Sequence, residues 1–135
     1  MEKSSFQFEQ FLILKSLIEV KNGQDLDDVK VDFKPLGTLN YRNGKFALEL
    51  IVKINDPKGN IEIEIKALGK FTFQNIERAN LSKLLSINSP ALMYPYVRAF
   101  VSTITSVSGI SPVLMPTMNL SALKVEIDES LVEEE

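Results

Sequence analysis

The sequence predicts an α+β fold: a four-stranded antiparallel sheet, a meander with a crossover loop between strands 1 and 2, then a long kinked helix and a short C-terminal helix. Three observations carry this. Apolar residues alternate with period two up to Phe73, helical spacing takes over beyond Ile76, and turn chemistry at Asn43-Gly44 and Asp56-Pro57-Lys58-Gly59 punctuates the first part. Strands first and helices afterwards place the helices together on one side of the sheet.

The first strand is read from Phe6, Phe8, Leu12, Leu14, Ile18 and Val20 at even positions, with Phe11, Ile13 and Leu17 on the other face, so both faces are expected to be partly covered. Val29, Val31 and Phe33 alternate with Lys30, Asp32 and Lys34 in the second, where Pro35 and Gly37 predict a bulge or bend. Asn43-Gly44 predicts a tight type I′ hairpin. Strand three follows with Phe46, Leu48, Leu50, Val52 and Ile54, and strand four runs from Ile61, Ile63 and Ile65 to Phe73, with Glu62, Glu64 and Lys66 on a wet face.

Leu81, Leu84 and Leu85 give the stretch from Ile76 to Ile87 helical spacing, and Ser89-Pro90 reads as an N-cap followed by proline at the first position of a longer helix. Pro95 leaves the Ala91 carbonyl without its helical donor, so either the first turn is kinked or the regular helix starts near Pro95. Val97, Phe100, Val101 and Ile104 form one apolar stripe, while Ala99, Ser102, Thr103, Thr105 and Ser106 make the opposite side small and uncharged. Gly109 ends the helix, Ile110 to Met118 is an extended apolar loop, and Leu120, Leu123 and Ile127 mark a short last helix. One domain is expected over residues 1–135, with about the last ten a mobile acidic tail.

Composition excludes more than it proposes. The chain has no cysteine and no histidine, which removes the usual zinc sites, thiol nucleophiles and imidazole bases. No pair of carboxylates announces acid–base work, so no enzyme, cofactor or metal is expected. A net charge of -3 with scattered lysines does not suit a phosphate backbone. The N-terminus carries charges where a signal peptide is apolar, and no run of about 20 apolar residues exists to span a bilayer. The cytoplasm is the expected compartment, with no direct membrane insertion.

From Leu84 to Leu123 the only charge is Arg98. A stretch so poor in charge is expected to lie against protein, its own or another's. Ordinary core accounts for the stripe Val97 to Ile104, and a solvated sheet face for Glu62 and Glu64. A loop holding Val113, Leu114 and Met115 between Pro112 and Pro116, however, exposes apolar surface unless something covers it.

The run Ser89-Pro90-Ala91-Leu92-Met93-Tyr94-Pro95-Tyr96-Val97-Arg98, followed by Gly109, Pro112, Leu114, Pro116 and Asn119-Leu120-Ser121-Ala122-Leu123, resembles the SecB family of export chaperones. Phe6-Gln7-Phe8, Val29 to Phe33, and Glu64 to Phe73 with Gly69 and Phe71 are similar to the family's first, second and fourth strands. The resemblance implies a homotetramer, a dimer of dimers, that holds unfolded polypeptide clients in apolar surface grooves without ATP and keeps precursors competent for export. It implies client contacts at Val29, Val31, Phe33, Leu114, Met115, Met118, Leu120 and Leu123. Subunit contacts are expected at Tyr94, Tyr96, Val97, Phe100, Val101 and Ile104. Docking of the motor ATPase SecA is implied at Glu19, Glu62 and Glu64, although Lys15 and Ser16 stand where the family usually has another acid. That departure keeps a second reading open, a SecB-like chaperone dedicated to one client such as the antitoxin of a toxin–antitoxin pair. A carrier of a small apolar ligand, held between sheet and helices, is the third.

Overall fold

The computed structural model describes residues 3–22, 28–115 and 120–134. Strands β1 (Ser5–Val20), β2 (Lys30–Asn40), β3 (Lys45–Asn55) and β4 (Ile61–Gln74) precede helices α1 (Arg78–Lys83), α2 (Ser89–Val107) and α3 (Ser121–Ser130), and a two-residue β5 (Val132–Glu133) closes the chain. The sheet order is β1-β4-β3-β2-β5. Strands β2, β3 and β4 form the meander, β1 crosses over to pair antiparallel with β4, and β5 adds a parallel pair to β2. The α+β architecture expected from the alternation is thus present, with β5 in addition.

One face of the sheet is the core. Leu48, Leu50, Val52 and Ile54 of β3 and Ile61, Ile63, Ile65 and Phe71 of β4 are buried under Leu81, Leu85, Met93, Val97, Leu123 and Ile127 of the helices. Gly69 marks the closest approach, because a Cβ built there would lie 2.6 Å from the Met93 sulfur. At Gly37 a Cβ would meet Phe46 at 2.9 Å and Leu131 at 3.1 Å, so α3 and the chain after it sit tightly along β2.

β1 departs from its expected alternation. Its register against β4 shifts between Phe8 and Gln10 and again between Ile13 and Lys15. Each β-bulge inserts a residue and moves the following side chains to the other face. The core side therefore reads Phe6, Phe8, Phe11, Ile13, Ser16, Ile18 and Val20, opposite Phe73, Phe71, Gly69, Ala67, Ile65, Ile63 and Ile61. Phe11 and Ile13 belong with Phe6 and Phe8, while Leu12, Leu14 and Leu17 turn to the outer face, where Leu14 is 51% exposed.

β2 has no bulge: its register with β3 is continuous from Lys30 to Asn40. The Ser130 hydroxyl reaches the Pro35 carbonyl at 3.5 Å, and the Glu134 amide donates to the Leu39 carbonyl at 2.7 Å, so the odd positions of β2 aim their backbone at the sheet edge. Proline's missing N–H points the same way and removes no bond to β3. The hairpin after β2 is also not type I′. Only Gly44 has positive φ (64°), whereas type I′ needs two such residues; Tyr41 to Gly44 instead form a longer turn closed by Gly44 N–H to the Tyr41 carbonyl at 3.2 Å.

Ser89 is not an N-cap. Its backbone is helical, and α1 runs into α2 through one π turn, Leu84–Asn88. The extra residue sends the Ser89 amide to the Leu84 carbonyl, and the Leu85 carbonyl, deprived of that donor, accepts the Ser89 hydroxyl instead. Pro90 thereby enters a helix already under way, and Pro95 lies inside α2. Gly109, with φ of 83°, ends that path as expected. The acidic end expected as a tail is placed in the fold up to Glu134: Glu126 to Ser130 lie in α3, and Glu133 in β5 is tied to Arg78 at 2.6 Å.

Candidate functional site

Two apolar surfaces flank α2, each made by an aromatic residue of the helix meeting one from an outer strand. On the β2 side the Phe33 ring lies 6.1 Å from that of Tyr94, with Val29 and Val31 half-buried beside the core. Burial pushes the Tyr94 phenol above its ordinary pKa, opposed by the nearby Arg98 charge. On the β1 side Tyr96 packs edge-on against Phe8 at 5.4 Å and against Phe11 at 5.3 Å, yet stays 53% exposed. The first bulge in β1, between Phe8 and Gln10, makes this second surface, since without it Phe11 would face away from the helix.

A third apolar surface lies beyond the other end of α2. After Gly109 the chain doubles back with Ile110, Val113 and Met115 buried, and Leu114 between them is 70% exposed. Thr105, which the sequence places with the small uncharged residues of the open side, is fully buried and accepts a hydrogen bond from the Val113 amide at 2.9 Å. Its 4-residue spacing after Val97 and Val101 is the signal that it continues their stripe. Tyr94 and Thr105 are 11 residues apart, roughly 16 Å along a helix, so the Phe33 and Leu114 surfaces occupy opposite ends of α2.

The residues expected to touch clients therefore separate. Val29, Val31, Phe33, Leu114 and Leu120 are exposed or half-buried, Met115 and Leu123 are core residues of the protomer, and Met118 lies outside the described residues. Among the expected subunit contacts, Val97 and Val101 are fully buried and Tyr94 nearly so, which leaves Tyr96, Phe100 and Ile104 with accessible surface.

The outer face of the sheet is charged, and its charges are interleaved. Glu64 accepts a hydrogen bond from Lys15 at 2.6 Å and lies 3.7 Å from Lys53; chiefly the Lys15 bond holds its carboxyl below the usual range. Glu19 and Glu62 face each other directly across β1 and β4, both exposed. Lys66 meets Glu49 at 3.4 Å. Among the described residues no group of acids is placed to hold a metal ion, and no helix is long and apolar enough to cross a membrane.

The family model described as preprotein translocase subunit SecB matches residues 26–127. An uncharacterized protein of Methanocaldococcus jannaschii is 42% identical over 59 residues, covering 42% of this chain and 38% of that protein. The protein-export protein SecB of Saccharophagus degradans is 33% identical over 75 residues, 56% of this chain and 45% of its relative. The chain thus spans less than half the length of these two relatives. Among solved structures, a SecB-like chaperone of Mycobacterium tuberculosis, in complex with a peptide from the HigA1 antitoxin, superposes with a TM-score of 0.72 at 14% identity, covering 84% of this chain and 88% of that one. At such identity the likeness is one of fold. The family match takes in strands β2 to β4, the long helical path and most of α3, and the chain belongs to the SecB family.

Proposed function

We propose that this protein is an ATP-independent holdase. It binds unfolded polypeptides on apolar surface at both ends of α2, acts in the cytoplasm as a homotetramer, and keeps precursors competent for export. The observation that carries the reading is the contrast between a closed core and the surface left beside it. Val52, Ile63 and Val97 are wholly shielded, yet Leu114 and Tyr96 remain open in a stretch that holds one charge. Apolar client segments laid there would gain roughly 25 cal/mol for each Å² removed from water. The mechanism is burial and release, with no bond made or broken in the client.

Stoichiometric suppression of aggregation of a denatured precursor is the test, with native mass spectrometry to establish the tetramer. A chain that stays monomeric and leaves several unrelated clients to aggregate overturns the reading. The dedicated chaperone has one observation in its favour. Glu64, one of the acids expected to dock SecA, is already engaged by Lys15 and Lys53, so the outer face offers a motor less free negative charge. That version predicts a single dominant partner on purification from the native cell, where general export predicts a broad mixture. The apolar-ligand carrier draws no support from the cleft between sheet and helices at Leu39, Leu81, Leu85 and Ile127, which is about 130 Å3, below the roughly 300 Å3 at which small-molecule pockets begin.

A further inference from the structure

We infer that Thr105 is a positioning residue for the client surface, an inference that rests on the holdase reading. Its hydroxyl sets the Ile110–Met115 segment so that Leu114 stands out as a fixed apolar contact. The hydroxyl is fully buried and used in both directions. It donates to the Val101 carbonyl at 2.8 Å, within reach of the Ser102 carbonyl at 3.2 Å, and accepts the Val113 amide at 2.9 Å. Val113 belongs to neither helix nor strand. Among the described backbone pairs its amide has no carbonyl partner, and this hydroxyl supplies the hydrogen bond that ties it to α2, beside the apolar packing of Ile110, Val113 and Met115.

The geometry explains how one bond to the Val113 amide orients the side chain of Leu114 next to it. In an extended segment successive side chains point to opposite sides. Once the Val113 amide is held against α2, Val113 and Met115 turn into the core and Leu114 turns out, as their burial records. Gly109, at φ of 83°, supplies the reversal that brings the segment back, and Ile110 is its first apolar anchor. A pinned Leu114 meets a client without first paying the entropy of ordering its loop.

The test compares Thr105→Val, which keeps the shape and removes the hydroxyl, with Thr105→Ser, which keeps the hydroxyl. In the parent, the Val113 amide should be protected from hydrogen exchange well above its neighbour Leu114. Thr105→Val should lower that protection about tenfold, the effect of one buried amide left unpaired. It should weaken binding of a reduced, alkylated model protein to the degree that the segment strays from its competent position. Thr105→Ser should restore both. If the parent's Val113 amide exchanges as freely as that of Leu114, the inference is wrong, and this measurement needs no variant to fold. If the segment loosens in Thr105→Val while client affinity holds, the positioning role falls and the holdase reading stands. If the parent itself captures no client, the holdase reading and the client role of Leu114 fall together, while exchange still reports on the tether.

Discussion

Replacing Gly69 with alanine examines the contact on which the placement of α2 depends. Gly69 sits in mid-sheet, paired with Phe11 of β1 and Leu48 of β3, and its φ is not positive, so alanine carries no backbone penalty there. On backbone entropy alone the change would stabilise by about 0.4–1 kcal/mol. The added Cβ, however, would lie 2.6 Å from Met93 Sδ, 3.0 Å from its Cγ and 3.1 Å from Phe71. Met93 is fully buried and has little room to retreat, so overpacking should cost about 1–3 kcal/mol. The net loss is about 0.5–2 kcal/mol, a fall in Tm of roughly 2–8 °C. Denaturant unfolding of Gly69→Ala, Met93→Ala and the double variant checks the cause. Met93→Ala alone should cost about 2–5 kcal/mol, and adding Gly69→Ala to it should be neutral or favourable, because the new methyl enters vacated space. An equal loss from Gly69→Ala in both backgrounds would refute the packing argument, and an unchanged single variant would refute the contact itself.

Three further outcomes follow from the same geometry. Leu114→Ser should leave the unfolding free energy within about 0.5 kcal/mol of the parent, since the side chain is mostly in solvent, but should weaken client binding about tenfold by titration, the worth of burying one leucine. Arg78 lowers the Glu133 pKa mainly through their hydrogen bond, so the pair helps hold β5 at neutral pH. That help is lost as pH falls through the depressed Glu133 value, below the ordinary glutamate range, and cross-strand NOEs between Thr38 and Val132 should fade there and, at neutral pH, in Arg78→Gln. Ser89→Ala should cost about 1 kcal/mol in chemical denaturation, because the buried Leu85 carbonyl loses the hydroxyl that replaces its diverted amide donor.

Element order was legible because burial here follows period. Phe46 to Ile54 and Ile61 to Phe73 alternate without interruption, and every core-side member is buried. β1 resisted the same reading because its two bulges change parity twice, so even and odd positions each supply part of the core face. A count of alternation over Phe6 to Val20 averages three phases into a strand with two apolar sides. Ser89-Pro90 misled for a related reason. Serine before proline is a helix-start signal when the chain arrives extended, but here it arrives helical, and the π turn lets the serine work backwards on the Leu85 carbonyl.

The surface proposed for clients was legible only as a region. Absence of charge from Leu84 to Leu123 marks a stretch ill suited to water, and it does not separate residues covered by their own protomer from those left exposed. Val97, Val101, Thr105 and Met115 are of the first kind, whereas Tyr96, Val107 and Leu114 are of the second. Hydroxyls blur the distinction further. Thr103 donates to the Ala99 carbonyl, Ser106 to the Ser102 carbonyl and Ser108 to the Ile104 carbonyl, so polar residues on the open face of α2 spend their donors within the helix. That face consequently meets its surroundings as a low-polarity surface despite its serines and threonines. An extended client or a sister helix could lie against it without leaving those donors unsatisfied, which is why residue type alone, counting hydroxyls as polar, understates how apolar this helix is.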